Sequence, residues 1–237
     1  MTVPTLYLIP SNLSDAPVEN VLPALNLRVV TELRYFIVEN VRTARRFLKR
    51  CNRDINIDEL TFFVLNVNTR PEDVPAMLQP MSEGHSMGII SEAGCPAIAD
   101  PGALAVAAAH NRGYNVEPLI GPSSILLSLM ASGFNGQSFA FNGYLPIDGQ
   151  QRSATLKRLY KEALNERRTQ IFIETPYRNN RLIADIVSTL PPNARLCVAS
   201  DLTGENQRIT TLPLAEWARR KPDYDKTPAI FLIYGPQ

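Results

Sequence analysis

Twelve consecutive residues, Ser91-Glu92-Ala93-Gly94-Cys95-Pro96-Ala97-Ile98-Ala99-Asp100-Pro101-Gly102, hold two glycines and two prolines. Such a stretch fixes an irregular backbone, and its small side chains let a ligand approach the main chain closely. Its N–H and C=O groups suit a polar amino-acid moiety or an adenine edge; the plainer reading is a strand-to-helix connection in which Asp100 is only a cap. Gly121-Pro122-Ser123-Ser124 places two hydroxyls at a helix start, where they cap the helix, line a pocket or do both. Glu174-Thr175-Pro176-Tyr177-Arg178 joins an acid, an aromatic ring and a guanidinium, which are substrate-handling groups or an ordinary surface turn. Asp15 is a further acid beyond a strand end, or a helix cap. The basic run Arg42, Arg45, Arg46, Lys49 and Arg50 can meet phosphate oxygens or can be a solvated helix face.

Elements that hold these residues follow from local pattern. Strands are expected at Thr5 to Ile9, Met87 to Ile90, Val116 to Ile120, Ser138 to Phe141, Thr169 to Glu174, Leu196 to Ala199 and Ala229 to Tyr234. Val41, Ala44, Phe47 and Leu48 recur at helical spacing. Thr69 and Glu72 match a capping box that opens a helical stripe through Val74, Met77 and Leu78. Asp100, Pro101 and Gly113 bracket an alanine-rich helix. Ser123 or Ser124 opens another, which stops at Gly133. Leu156, Leu159, Ala163 and Leu164 mark one further helix, and Leu182, Ile183, Ile186, Val187 and Leu190 another. A short helix around Trp217 is expected to pack on the second sheet. Alternating strands and helices predict an α/β fold with a mostly parallel sheet in the first half. The Gly/Pro cluster near residues 118–124 sets a boundary between domains 1–120 and 121–237. Both Gly/Pro loops follow strands, where open α/β sheets bind ligands.

Composition narrows the classes. Among 237 residues, 45% are hydrophobic and 20% charged, which is globular rather than disordered. A net charge of +1 announces no polyanionic partner, although a local basic patch is compatible with it. Cys51, Cys95 and Cys197 are scattered, as are His85 and His110, so neither a disulfide framework nor a metal site is expected. Both histidines are expected on turns or helix surfaces. No apolar run nears the roughly 20 residues of a membrane span, and Met1-Thr2-Val3-Pro4 lacks a signal-peptide pattern. The chain reads as intracellular. Neither G-x-G-x-x-G, G-x-x-x-x-G-K-[ST] nor G-x-S-x-G is present.

The 91–102 stretch resembles the "S-D-A-G-T-P-x-I-S-D-P-G" motif of the tetrapyrrole methylase superfamily, and most of all its ribosomal RNA small-subunit methyltransferase I branch. Pro118 to Ser124 is similar to that branch's "P-x-P-G-P-S/C-A", Phe141 to Pro146 to "F-x-G-F-L-P", Glu174 to Arg178 to "E-S/T-P-H-R", and Ser200 to Thr203 to "R-E-L-T". Ile9 to Asp15 resembles "T-P-I-G-N-L-x-D" with Ser11 at the glycine. Val38 to Leu48 resembles "A-E-D-T-R-x-S/T-R-x-L-L" with Asn40 and Val41 replacing an acid and a hydroxyl. Phe63 to Val67 lacks the histidines and acids of "H-E-H-N-E".

The resemblance implies a cytoplasmic homodimer of two α/β domains with S-adenosylmethionine in a cleft between them. It implies methylation of a ribose 2′-hydroxyl in small-subunit ribosomal RNA, on the RNA or the small ribosomal subunit. Cofactor contacts carried over by position are Glu92, Ala93, Gly94, Ile98, Ser123, Ser124, Glu174, Pro228 and Ala229. The expected substrate contacts are Asp15, Arg42, Arg45, Arg46, Tyr177 and Arg178, with Arg42 and Arg178 positioning phosphate. Candidate catalytic groups are Glu39, Glu92, Glu174 and Arg178, because a hydroxyl nucleophile needs a proton acceptor. Two alternatives stand beside this reading: a tetrapyrrole or other small-molecule acceptor, and an S-adenosylmethionine-binding protein without catalysis.

Overall fold

A computed structural model describes residues 3–236; Met1 and Thr2, part of the stretch tested for a signal pattern, lie outside them. The chain divides into two compact units, Met1–Ser123 and Ser124–Gln237.

The first unit runs β1 (Thr5–Ile9), α1 (Ala24–Glu32), β2 (Tyr35–Val38), α2 (Val41–Cys51), β3 (Thr61–Val64), α3 (Val74–Met77), α4 (Gln79–Ser82), β4 (Met87–Ile90), α5 (Gly102–Asn111) and β5 (Asn115–Pro118). Its five-stranded sheet has the order β3-β2-β4-β1-β5, and every pairing is parallel. Alternate strand residues face opposite ways. Phe36, Val38 and Ile90 therefore pack with Val30 of α1 and Phe47 and Leu48 of α2. Ile37, Met87 and Ile89 instead meet Leu78, Met81, Ala105 and Ala109. Burial on both faces explains why these strands are continuous apolar runs.

The second unit runs α6 (Ser124–Ser132), β6 (Phe139–Tyr144), α7 (Gly149–Asn165), β7 (Thr169–Ile173), α8 (Asn179–Thr189), β8 (Arg195–Ser200), β9 (Arg208–Pro213), α9 (Leu214–Trp217) and β10 (Ala229–Tyr234). Its sheet is mixed, with order β6-β7-β10-β8-β9. Only β6 and β7 are parallel; β10 runs against β7 and β8, and β8 against β9. One face packs Phe172, Leu196, Val198 and Phe231 against Leu156, Leu159, Leu182 and Ile186. Trp217 docks as expected: it is buried and its Nε1 donates to Leu196 O of β8 at 3.0 Å.

Several expectations are corrected. Thr69 and Glu72 form no capping box: Thr69 Oγ1 accepts from Asn66 N at 3.0 Å. Pro71, Pro75 and Pro80 break the stripe into a 3-10 turn, Pro71–Asp73, and the single turns α3 and α4. Strands β2, β3 and β9 add to those expected, and β5 stops at Pro118, leaving Ile120 exposed. Leu164 also lies on the exposed side of α7. The start of α5 falls one residue later than read, with Pro101 as the N-cap and Gly102 as the first helical residue, although Asp100 Oδ1 still accepts from Gly102 N at 2.7 Å. At the other end, Gly113 at φ 72° and Tyr114 donate to His110 O and Ala109 O, the Schellman arrangement. His110 is exposed on α5, and His85 on a turn against Tyr35.

Candidate active site

The parallel register aligns the carboxyl ends of the first sheet. Ile9 and Val38 both pair with Ile90, and Leu8 with Pro118. Pro10, Glu39, Ser91 and the 119–123 segment therefore leave the sheet at one edge, where open α/β sheets bind ligands.

Loop 91–102 is fastened there from two sides. Ser11 N donates to Gly94 O at 2.9 Å, and Gly94 N to Ser11 O at 3.2 Å. Ser11 Oγ donates to Ser91 O at 3.0 Å, while Ser91 Oγ donates to Gly94 O at 3.0 Å. Thus Ser11, which stands where the branch has glycine, braces the loop. Gly94 has φ 74°, and a Cβ there would sit 3.1 Å from Leu13 Cδ2 and 3.4 Å from Pro122 O. Farther along, Ala97 and Ala99 have φ of 65° and 61°, a left-handed region costly for alanine. Asp100 Oδ1 holds that strained turn by accepting from Ala97 N at 2.9 Å as well as from Gly102 N. Asp100 is therefore more than a helix cap. Between the two alanines Ile98 is 54% exposed, an apolar side chain held outward.

Glu92 and Glu39 stand at the same edge. Glu39 accepts from Glu92 N at 3.4 Å, and the Thr43 hydroxyl donates to the Glu92 carboxylate. Thr43 belongs to the first turn of α2, whose cap Asn40 accepts from Arg42 N at 2.8 Å. Asn40 thus keeps the capping function although it replaces an acid. Ile37, Glu39, Leu65, Ser91, Asp100 and Gly102 line a small recess. Burial raises the Glu39 carboxyl above its ordinary range, and the nearby Asp100 and Glu92 charges add to this against the Glu92 N–H. Burial raises Asp100 too, opposed by its two backbone N–H donors.

Both carboxyls hold a proton to higher pH when folded than when unfolded. Ionising them thus costs stability above the folded pKa, and the cost is relieved as pH falls toward the ordinary values of 4.5 and 3.8. Glu39→Gln is expected to remove part of the decline in stability with rising pH just above 4.5. Urea unfolding across that range tests it, and parallel wild-type and variant profiles count against it.

Arg42, Arg45, Arg46, Lys49 and Arg50 are all exposed on α2. Arg50 is committed to Asp15, at 3.8 Å from its carboxylate, and to Ala16 O at 2.6 Å. Asp15 is exposed in that ion pair and caps no helix, since the next turn starts after Pro17. Ser123 lies in the segment leaving β5, after Gly121, whose Cβ would fall 2.3 Å from that of Pro10.

In the second unit, Ile173 pairs with Ile230 and Tyr144, and Ser200 with Ala229. Glu174, Pro228 and Ala229 consequently gather at one edge of that sheet, and Ser124 opens α6. Glu174 is 8% exposed, and its Oε1 accepts from Thr175 N at 2.7 Å and from Arg178 Nε and Nη2 at 3.0 and 2.6 Å. That carboxylate is engaged by its own turn, which disfavours it as a proton acceptor. It also occupies Arg178, whereas Tyr177 is 77% exposed. Sequence reasoning missed Ser11, Thr43 and Asn40 as supports, because each acts through a partner set by the fold.

Comparison with known proteins places the chain in a family. The profile of tetrapyrrole (corrin/porphyrin) methylases matches residues 36–218. Ribosomal RNA small subunit methyltransferase I of Vibrio cholerae is 29% identical over 98% of this chain and 77% of its own length. The methyltransferase CobJ superposes with a TM-score of 0.64 at 16% identity, over 99% of this chain and 95% of that one. A uroporphyrin-III C-methyltransferase of Thermus thermophilus, solved with S-adenosyl homocysteine, gives 0.58 at 15% identity over 97% of each chain. The chain belongs to the tetrapyrrole (corrin/porphyrin) methylase family and is a methyltransferase that uses S-adenosylmethionine.

Proposed function

We propose that this chain methylates the 2′-hydroxyl of a ribose in small-subunit ribosomal RNA. The observation that carries the reading is the contact of loop 91–94 with the first turn of α2 through Glu92 and Thr43. It sets a braced loop beside an exposed helix rich in arginine, and the similarity to the ribosomal RNA small subunit methyltransferase I of Vibrio cholerae supports it.

The loop fits the cofactor in kind. Exposed Ile98 offers an apolar surface to adenine, and the Ala93 main chain and the Glu92 carboxylate offer polar groups to the amino-acid end, while Gly94, bonded to Ser11 through its own N–H and C=O, holds the turn beneath them. Ser123 adds a hydroxyl. Proposed cofactor contacts in the second unit are Ser124, Pro228, Ala229 and the Glu174 turn, with Tyr177 and Arg178 toward substrate. When bound, S-adenosylmethionine supplies a methyl carbon already electrophilic through its sulfonium. The protein's task is then alignment and exclusion of water. The bound cofactor would supply the methyl group and keep the carbon–sulfur electron pair, and this chain would supply the carboxylate that takes the hydroxyl proton. Glu39 is the proposed acceptor, because it stands at the sheet edge and is less committed than Glu174.

Purified protein with methyl-labelled cofactor and undermethylated small subunits is expected to place label in RNA at an alkali-resistant linkage. Glu39→Gln is expected to lower kcat by about 100-fold or more. Absence of label from RNA defeats the proposal. Label in a tetrapyrrole precursor, or cofactor binding without turnover on any acceptor, points to the other two readings. We also propose a homodimer, supported by exposed apolar Leu126, Met130 and Ile147, working in the cytoplasm, where its proposed substrate is made.

A further inference from the structure

The cations of α2 are arranged in a way that stability alone does not explain. At about 100° per residue, Arg42, Arg45, Arg46 and Lys49 fall within an arc of roughly 100° opposite the buried Ala44, Phe47 and Leu48. Val41–Cys51 contains no acidic residue to balance them. Arg42 lies in the first turn, where the helix dipole disfavours a cation. The guanidiniums of Arg42 and Arg46 have no ion-pair partner among the described residues. Arg45 is steered over the Phe62 ring, its Cζ 5.6 Å from the centroid, which orders the side chain without neutralising its charge. Arg50, by contrast, is matched by Asp15 and stands outside the stripe.

We propose that this face of α2 is a track for the phosphates of the RNA strand that carries the acceptor ribose. The inference rests on the RNA reading above and adds where the strand lies. From Arg42 to Lys49 the stripe advances about 10 Å along the helix axis, long enough for more than one phosphate. Its Arg42 end lies beside the loop 91–94 through the neighbouring Thr43. The strand therefore enters the site along α2, and its phosphates fix register while the loop fixes the methyl donor.

The test is binding of a fluorescent oligonucleotide of small-subunit ribosomal RNA sequence across a salt series. Arg42→Gln and Arg46→Gln are each expected to reduce the slope of log affinity against log salt by about one. The double variant is expected to bind at least tenfold more weakly. Lys161→Gln, which removes an exposed cation from α7, is expected to leave binding unchanged. Calorimetric cofactor affinity is expected to stay at the wild-type value in all four, which shows that the fold persists. Wild-type slopes in the α2 variants, or an equal loss in Lys161→Gln, overturn the track. Anionic phospholipid vesicles bound with the same α2 dependence, and RNA not, overturn it too. The methylation assay separates the two ideas. Binding that depends on α2 without RNA methylation retains the track and removes the acceptor. Methylation whose KM ignores the α2 variants removes the track alone.

Discussion

Asp100→Ala is expected to abolish useful cofactor binding, with at least a tenfold rise in Kd, while leaving most of the fold in place. One oxygen, Oδ1, accepts from Ala97 N and Gly102 N, so it fastens the loop and the first turn of α5 together. Between those points lie Ala97 and Ala99, both with positive φ. Non-glycine residues in that region cost on the order of 1–2 kcal/mol each, and only surrounding bonds hold them there. Without the carboxylate the loop relaxes toward ordinary backbone angles, and Ile98 turns away from its outward position. Loss of the cap and an unpaired N–H together cost about 2 kcal/mol. Asp100→Asn keeps an oxygen acceptor but not the charge and is expected to restore most of the binding. Calorimetry and urea unfolding of both variants measure this; wild-type affinity in Asp100→Ala contradicts the assignment.

The largest stability effect is expected in the second unit. Arg152 is 5% exposed, with Nη2 2.6 Å and Nε 2.8 Å from Asp185 Oδ2. Its Nη1 donates to Pro146 O at 3.0 Å and Ile147 O at 2.7 Å. Asp185→Ala leaves a buried cation facing only carbonyl oxygens. Removing one partner of a buried pair costs about 3–5 kcal/mol. Because the Asp185 side chain is 34% exposed, water screens part of this, and about 3 kcal/mol is expected. Arg152→Met removes the cation and leaves Asp185 in reach of water, so it is expected to cost less, while releasing the 146–147 segment. Urea denaturation gives both values; a costlier Arg152→Met reverses the argument.

What was legible in the sequence follows from how local each signal is. The 91–102 loop, the Gly113 and Gly133 helix ends and the strand Ala229–Tyr234 are written in adjacent residues. Strands Tyr35–Val38 and Thr61–Val64 are as short as Met87–Ile90 but lack the adjoining Gly/Pro loop that marks its end. Arg208–Pro213 reads Arg-Ile-Thr-Thr-Leu-Pro, with no strict alternation, and ends in proline at a sheet edge, which reads as a loop until its neighbour is known. The capping box at Thr69 failed because three prolines downstream outweighed it. In the site, the carboxylates were visible as residues but not in their duties. Glu174 is spent on its own turn and Glu39 is not, a difference set by Arg178 and by the distances between strands. Ser11 looked like an eroded motif and is a brace.

The bond from Ser11 to Ser91 joins residues 80 positions apart, and β4 must slide between β1 and β2 before it can form. Pairings of such long range close late in folding. A nascent chain that has not yet delivered β4 therefore has no braced 91–102 loop, however well its earlier helices have collapsed. With the proposed contacts, cofactor capture requires the first unit to be finished. Since a ligand bound only by the folded form draws the equilibrium toward it, the proposed cofactor contacts make the methyl donor a stabiliser of the completed first unit.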